Sequence, residues 1–399
     1  MSAQTPESLT RHPAGYADVV LAAPVTVPYV RYSIRSTHWF VARALAAMLE
    51  ASGLRKPDLD GLSLGSFMLA PDTAIGLTQH LGITARWLDY VPLGGACGIV
   101  ALRRALRAVQ SGDAEVVACV GADTNHVESF RASLGSFSVF ARDAVFPYGS
   151  GGPNASFAFL TSHYMREFGA TREDFGKLCV AQRDNALGYR HAMFKKKLTL
   201  DEYLNARPIA EPIRLFDCVM PCAGAEGFLV MRRERARRLG LKYVRVLSTC
   251  ERHNAFPDDP IQMRGGWVLD RERLYDSAGV GPADMSFVQT YDDYPVMSLI
   301  QLEDLGFCAK GEGPEFIRRN TFTSGGTFPI NSSGGQLSAG QAGCAAGFLG
   351  LVEAIRQLSG QNLARPVPGA RRALVVGFGM ITYDRGLCAA AAILADQHA

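Results

Sequence analysis

Short apolar runs bounded by Gly, Pro or polar clusters alternate with longer, mixed runs along the whole chain. The short runs have the length and boundaries of strands. They fall at residues 62–68, 115–122, 156–160, 227–231, 243–249, 285–290, 373–377 and 387–394. Helices are predicted between them, over 38–51, 101–110, 163–168, 172–186, 271–278 and 295–305. A further helix follows a glycine-dense loop and reaches about Leu358. Such alternation predicts helices layered on sheets.

An internal echo refines this picture. Gly94-Gly95-Ala96-Cys97-Gly98 leads into a helix and then an apolar strand. Gly334-Gly335 through Gly347 does the same before the strand at 373–377. Two halves, each with a glycine-rich loop feeding a central helix, suggest a duplicated α/β unit. Residues 1–15 read as a flexible arm, 16–250 as a first half with an inserted loop region, and 251–399 as a second half.

The chain has 399 residues, 48% of them hydrophobic and 20% charged, as an ordinary globular protein does. Its 41 basic and 38 acidic residues leave a net charge of +3, which argues against a nucleic-acid binder. The short basic clusters at Lys195-Lys196-Lys197 and at residues 233–238 read as solvated faces. No apolar run reaches about 18 residues, so no membrane span is expected. Nine cysteines are scattered without repeated spacing. Cys218 and Cys222 lack the second pair that a zinc site needs, so no metal is expected. Buried thiols in a reducing cytoplasm are the natural reading.

The densest chemistry lies in Asn331-Ser332-Ser333-Gly334-Gly335-Gln336-Leu337-Ser338-Ala339-Gly340-Gln341-Ala342-Gly343-Cys344. Glycine lets backbone approach a ligand, and the following helix start offers free N–H groups. The segment resembles the N-x-x-G-G-x-x-S-x-G-H-P-x-G active-site segment of thiolases, with Gln341 at the histidine position. Other stretches resemble the sterol-carrier-protein-x and lipid-transfer branch of that superfamily. They are Tyr164-Met165-Arg166-Glu167-Phe168-Gly169-Ala170-Thr171-Arg172-Glu173, Ile209-Ala210-Glu211-Pro212-Ile213-Arg214-Leu215-Phe216-Asp217-Cys218 and Gln301-Leu302-Glu303-Asp304-Leu305-Gly306-Phe307-Cys308. The resemblance implies a thiolase fold of two duplicated βαβαβαββ halves in a five-layered αβαβα arrangement, and a homodimer.

A thiolase needs a nucleophilic cysteine, a proton-moving histidine or second cysteine, and oxyanion-holding donors. The family's nucleophile position, in C-x-x-G-x-x-A, falls on Gly95, with Cys97 two residues later. Either the nucleophile is absent or a shifted loop presents Cys97, whose thiol also suits helix capping or packing. Glutamine at 341 cannot act as a general base. Val375 replaces the shuttle cysteine of the C-terminal glycine-rich motif that contains Gly379. The branch's H-D-C-F segment is matched by Tyr291-Asp292-Asp293-Tyr294. Two phenols and two carboxylates make a proton-transfer set. Asp292 as a cap on the helix from Pro295, with the tyrosines in the core, also fits.

One subgroup of the branch lacks the cysteine and cleaves steroid 3-hydroxyacyl thioesters by a retro-aldol step, which needs no acyl-enzyme. By resemblance, Tyr291 or Tyr294, helped by Asp293, would take the hydroxyl proton. Gln341 would donate to the thioester oxygen, and Gly95, Asn331, Gly334, Gly335, Ser338 and Gly379 would line the substrate site. Coenzyme A enters only as part of the substrate, since no dinucleotide or phosphate-loop spacing is present. Those aldolases work with a small OB-fold and zinc-ribbon protein, so such a partner is expected. A true thiolase using Cys97 and a non-catalytic subunit remain the alternatives. The segment at 130–146, crowded with Phe, Ser and Ala, is where the acyl pocket would be shaped.

Overall fold

The computed structural model describes residues 15–126, 138–149 and 152–399. The expected N-terminal arm, apart from residue 15, and much of the 130–146 segment lie outside them. The elements run β1 (Val19–Val30), α1 (Thr37–Ser52), β2 (Gly61–Gly65), α2 (Ala74–Leu81), β3 (Trp87–Tyr90), α3 (Cys97–Ser111) and β4 (Val116–Thr124). A mostly helical insert follows: α4 (Val139–Val145), α5 (Pro153–Phe168), α6 (Arg172–Leu187), α7 (Leu200–Leu204), β5 (Pro208–Ala210) and β6 (Ile213–Arg214). Then come β7 (Ala223–Arg232), α8 (Arg233–Arg238), β8 (Tyr243–His253), α9 (Trp267–Ala278), β9 (Phe287–Gln289) and α10 (Pro295–Asp304). The chain closes with α11 (Gly313–Arg319), α12 (Gly335–Ala339), α13 (Ala346–Ser359), β10 (Arg372–Thr382) and β11 (Arg385–Ala395).

The same strand pattern occurs twice. In the first half β1 pairs antiparallel with β7, β7 antiparallel with β4, β4 parallel with β2, and β2 parallel with β3. In the second, β8 pairs antiparallel with β11, β11 antiparallel with β10, and β10 parallel with β9. A parallel bridge from Val288 to Ile330 stands where the fifth strand would be. A short ladder between β1 and β8 joins the two half-sheets edge to edge. The strands of the two repeats part between Arg232 and Tyr243, so β8 straddles residue 250.

Helices α3 and α13 fill the space between the half-sheets, and α13 is buried almost all round, as an apolar helix at a core must be. Helix α1 covers the outer face of the first half-sheet, and α9 and α10 pack on the second. The result is the five-layered αβαβα thiolase body. Both central helices are entered through the same turn. Gly94–Ala96 and Gly343–Ala345 form 3-10 turns, and Gly94 and Gly343 have φ of 54° and 53°. The helices touch where a Cβ on Gly98 would strike the Gly347 carbonyl.

Residues 156–160, expected as a strand, belong to α5. Five residues of alternating Ser, Phe and Ala fit either period. What decides is Pro153 at the first turn, Gly169 (φ 65°) at the end, and burial of Phe157, Leu160, Thr161 and Tyr164 at helical spacing. Strand β1 is unexpected because Pro24 and Pro28 interrupt its apolar pattern. Its register shifts between Ala22 and Val25 and between Val27 and Val30, so both prolines sit at irregularities where no ladder donor is lost.

On β7, opposite Thr26, stands the fully buried Glu226, whose Oε2 accepts from Thr26 Oγ1 at 2.6 Å. Burial pushes this carboxyl up to about 8, against a smaller downward pull from Arg356. A carboxyl whose pKa is raised on folding favours the folded state below its unfolded value, and that contribution disappears as pH rises through the folded value. Stability should therefore fall between about pH 4.5 and 8, on the order of 5 kcal/mol at most from this group. Glu226→Gln, a mimic of the protonated acid, should flatten that slope in urea titrations at pH 5 to 9. An unchanged slope would refute the assignment.

Candidate functional site

On the segment leaving β9, Tyr291 and Asp292 turn to different partners, and the chain bends at Asp293 and Tyr294 before α10 begins. Asp292 does not cap α10. Its carboxylate accepts from the backbone N–H groups of Gln336 (2.9 Å) and Leu337 (3.3 Å), capping α12 instead. A Cβ on Gly335 would collide with that carboxylate, which accounts for glycine there with φ of 60°. Burial raises the Asp292 carboxyl to about 7, less the effect of those two donors.

Tyr291 occupies the position that matters most. Its ring carbons Cε2 and Cζ fill the space that a Cβ on Gly95 would need, with the Phe378 carbonyl on another side. The phenol thus stands where the side chain of residue 95 would begin. Gln341 Nε2 donates to the Tyr291 hydroxyl at 3.4 Å, so the residues at the lost-cysteine and lost-histidine positions meet through this phenol. Tyr291 is buried (6% exposed), and burial, then the charge of Asp293, holds its pKa well above the ordinary phenol. It is a neutral O–H that receives one hydrogen bond and is free to donate another.

The backbone of Tyr291 is fixed from behind. Gln301, fully buried on α10, accepts from Tyr291 N–H and donates to Tyr291 C=O, both at 2.8 Å. Asn331 (φ 48°) turns its amide onto Thr290, accepting from its N–H at 2.8 Å and donating to Oγ1 at 3.1 Å. Gln341 is held by backbone bonds to Met220 and Cys222, at 2.9 and 3.0 Å.

Asp293 is buried, and one oxygen accepts from Tyr294 N–H at 3.1 Å. Burial first, and the neighbouring Asp292 second, push its carboxyl well above the usual carboxylate range. Tyr294 is turned toward the insert. Its hydroxyl donates to Asn154 Oδ1 at 2.5 Å, and its ring stacks on Phe157 at 4.2 Å.

The remaining expected residues are placed as follows. Cys97 is fully buried at the start of α3, and its thiol donates to the Cys344 carbonyl at 3.0 Å. The structure therefore packs this sulfur between the central helices, with its thiol hydrogen committed to the Cys344 carbonyl. Gly334 (φ 99°) allows α6 to approach, since a Cβ there would strike Ala186. Ser338 Oγ accepts from Arg183 Nε at 3.1 Å. Gly379 lets β10 pass the Leu93 carbonyl. Asn154, Gln301 and Phe157 were not singled out from sequence. Asn154 and Phe157 lie on a helix without a local motif, and Gln301 stands at an unspecified position of its motif, so only tertiary contact identifies them. Among the described residues no group of three His, Cys, Asp or Glu side chains is placed to hold a metal ion.

The family profile described as "Thiolase C-terminal domain-like" matches residues 268–393. A 17-hydroxy-3-oxo-4-pregnene-20-carboxyl-CoA lyase of Mycobacterium tuberculosis is 32% identical over 376 residues, covering 89% of this chain and 95% of its own. A steroid side-chain-cleaving aldolase of Thermomonospora curvata is 31% identical, covering 89% and 93%. The solved structure titled "Ltp2-ChsH2(DUF35) aldolase" superposes with a TM-score of 0.81 at 26% identity, over 95% of this chain and 98% of that one.

Proposed function

We propose that this chain, which belongs to the thiolase superfamily in the branch of steroid side-chain-cleaving aldolases and sterol-carrier-protein-like thiolases, is an acyl-CoA carbon–carbon lyase working by retro-aldol cleavage. The observation that carries the reading is the Tyr291 ring in the space above Gly95. That arrangement leaves no room for a nucleophile side chain at residue 95 and supports a role for the Tyr291 hydroxyl in its place.

In the proposed reaction Asp293, as carboxylate, removes the proton of the 3-hydroxyl of a 3-hydroxyacyl thioester. The electron pair forms the carbonyl as the Cα–Cβ bond breaks, and the thioester becomes an enolate. Tyr291 donates its O–H to the developing enolate oxygen, with Gln341 holding the phenol in place. The proton on Asp293 then returns to Cα, releasing an aldehyde or ketone and a shortened acyl-CoA. The raised affinity of Asp293 for protons suits it to both transfers.

Supplying a steroid 3-hydroxyacyl-CoA should yield stoichiometric carbonyl product and shortened thioester, with no acyl-protein adduct by mass spectrometry. The ascending limb of kcat/KM against pH should lie above the ordinary carboxylate range, because the basic form of Asp293 appears only above its raised pKa. Asp293→Asn should remove that limb together with at least about 100-fold of the rate. An acylated cysteine would sink the proposal.

The assembly proposed is a homodimer with a small OB-fold and zinc-ribbon partner. Supporting it are the unpaired edge of β3, with Tyr90 exposed, and the aromatic surface of Phe159 (71% exposed) and Tyr383 (46%). Ser156 Oγ, on the helix that carries Asn154 and Phe157, bonds the Tyr383 carbonyl at 3.0 Å, so that surface borders the site. The compartment proposed is the cytoplasm, in keeping with nine unpaired thiols.

A further inference from the structure

Resting on the reading of this site as one for acyl-CoA thioesters, we propose that Arg183 recognises an oxyanion carried by the substrate. The oxyanion is a carboxylate on the acyl group or a phosphate of the nucleotide.

Arg183 lies on α6 and is only 5% exposed. A guanidinium on so largely buried a side chain is ordinarily matched by a carboxylate. Among the described residues no carboxylate accepts from it, and its terminal nitrogens are not fully buried. Among the described residues its sole hydrogen-bond partner is Ser338 Oγ, through Nε. The charged group nearest in effect, Glu202, is exposed and already accepts from Thr199 N–H and Oγ1. The four N–H bonds on the two terminal nitrogens thus have no acceptor among the described residues. Burial of the side chain is the chief cause that holds the group below the usual arginine affinity for protons.

Its orientation is nevertheless fixed. The guanidinium carbon sits 4.1 Å from the Phe194 ring centre and 5.7 Å from that of Phe216. These aromatic neighbours and Ser338 hold the fork without neutralising it. All three lie on segments tied by backbone bonds to the stretch that carries Gln341. Phe194 N–H donates to Ser338 C=O at 3.3 Å and Met193 N–H to Ala339 C=O at 2.9 Å. The segment after Phe216 is joined to Gln341 through Met220 and Cys222. Ser338 precedes Gln341 by three residues, so about 10 Å of chain at most separates them. Phe194 and Phe216 are half-buried, giving the fork a bordering opening rather than a sealed core. A planar, forked cation on an aromatic support beside a thioester site is suited to bidentate binding of a carboxylate or phosphate.

The test is calorimetric binding of three probes to the full chain: free coenzyme A, butyryl-CoA and glutaryl-CoA. None has a 3-hydroxyl, so binding is read without turnover. Arg183→Met should weaken binding about 10- to 100-fold. A loss confined to glutaryl-CoA assigns the carboxylate, and an equal loss for all three assigns a phosphate. Arg183→Lys, which keeps the charge but not the fork, should give an intermediate loss, and it serves if the methionine variant does not fold. Unchanged affinities in a folded variant overturn the proposal, as does failure of the unaltered chain to bind any probe. Arg183-dependent binding without carbon–carbon cleavage of a 3-hydroxyacyl-CoA would sink the lyase reading alone.

Discussion

Tyr291→Phe is expected to lower kcat for cleavage of a 3-hydroxyacyl-CoA by about 10²- to 10⁴-fold while leaving KM within a few-fold. The substitution deletes one oxygen and retains the ring that fills the space above Gly95, so packing is preserved. Among the described residues the one hydrogen bond lost is that from Gln341 Nε2, at 3.4 Å, and Gln341 is half-buried and can turn to water. Its loss should cost no more than about 1 kcal/mol of stability. The effect on rate is larger because the hydroxyl is needed where charge develops, in a site from which water is largely excluded. A donor of that kind acts mainly on the transition state, which is why kcat moves and KM does not. The measurement is steady-state kinetics with denaturation curves on the same preparation. A rate within threefold of the unaltered chain would remove Tyr291 from the chemistry. The remaining candidate would be Tyr294, whose hydroxyl is committed to Asn154 and whose ring is stacked on Phe157.

The duplicated fold was readable because both glycine-rich turns have the same backbone need: Gly94 and Gly343 each take a left-handed φ before a buried helix. The site was readable only as a set of gaps, with glycine, glutamine, tyrosine and aspartate standing at positions of known chemistry. The sequence could not divide the labour among Tyr291, Asp292, Asp293 and Tyr294, because four consecutive residues offer four directions. Tertiary contacts divide them, taking Asp292 to α12, Tyr291 to Gly95 and Tyr294 to Asn154. Residues 156–160 misled because a five-residue apolar window carries no period. Gln301 was unreadable for another reason: its amide bonds backbone atoms ten residues away, a contact independent of which side chain it supports. Arg183 drew no notice because an arginine within a helix ordinarily reaches solvent. Its burial depends on Phe194 and Phe216, which are distant in sequence only until the insert folds.

Gly95→Ala should destabilise the protein by roughly 2–3 kcal/mol, a large effect for one methyl group. The added carbon has no free volume: it overlaps two ring carbons of Tyr291 and the carbonyl oxygen of Phe378. The ring cannot swing aside freely, since Gln301 clamps the Tyr291 backbone at both polar atoms. Gly95→Cys should fare worse and, though it restores a thiol at the family's nucleophile position, should give neither acyl-enzyme nor thiolase activity. The sulfur would have to displace the phenol, and no histidine stands at 341 to activate it. A double-mutant cycle isolates the clash. Tyr291→Ala alone leaves a cavity and should cost about 3–5 kcal/mol. Adding Gly95→Ala to it should cost less than in the unaltered chain, because only the clash with the Phe378 carbonyl then remains. The two substitutions should therefore couple by about 1–3 kcal/mol in the direction that relieves strain. Urea denaturation of the four proteins gives the coupling directly. Strict additivity would mean that residue 95 and the phenol do not compete for one volume, and the case for a non-covalent lyase would lose its structural basis.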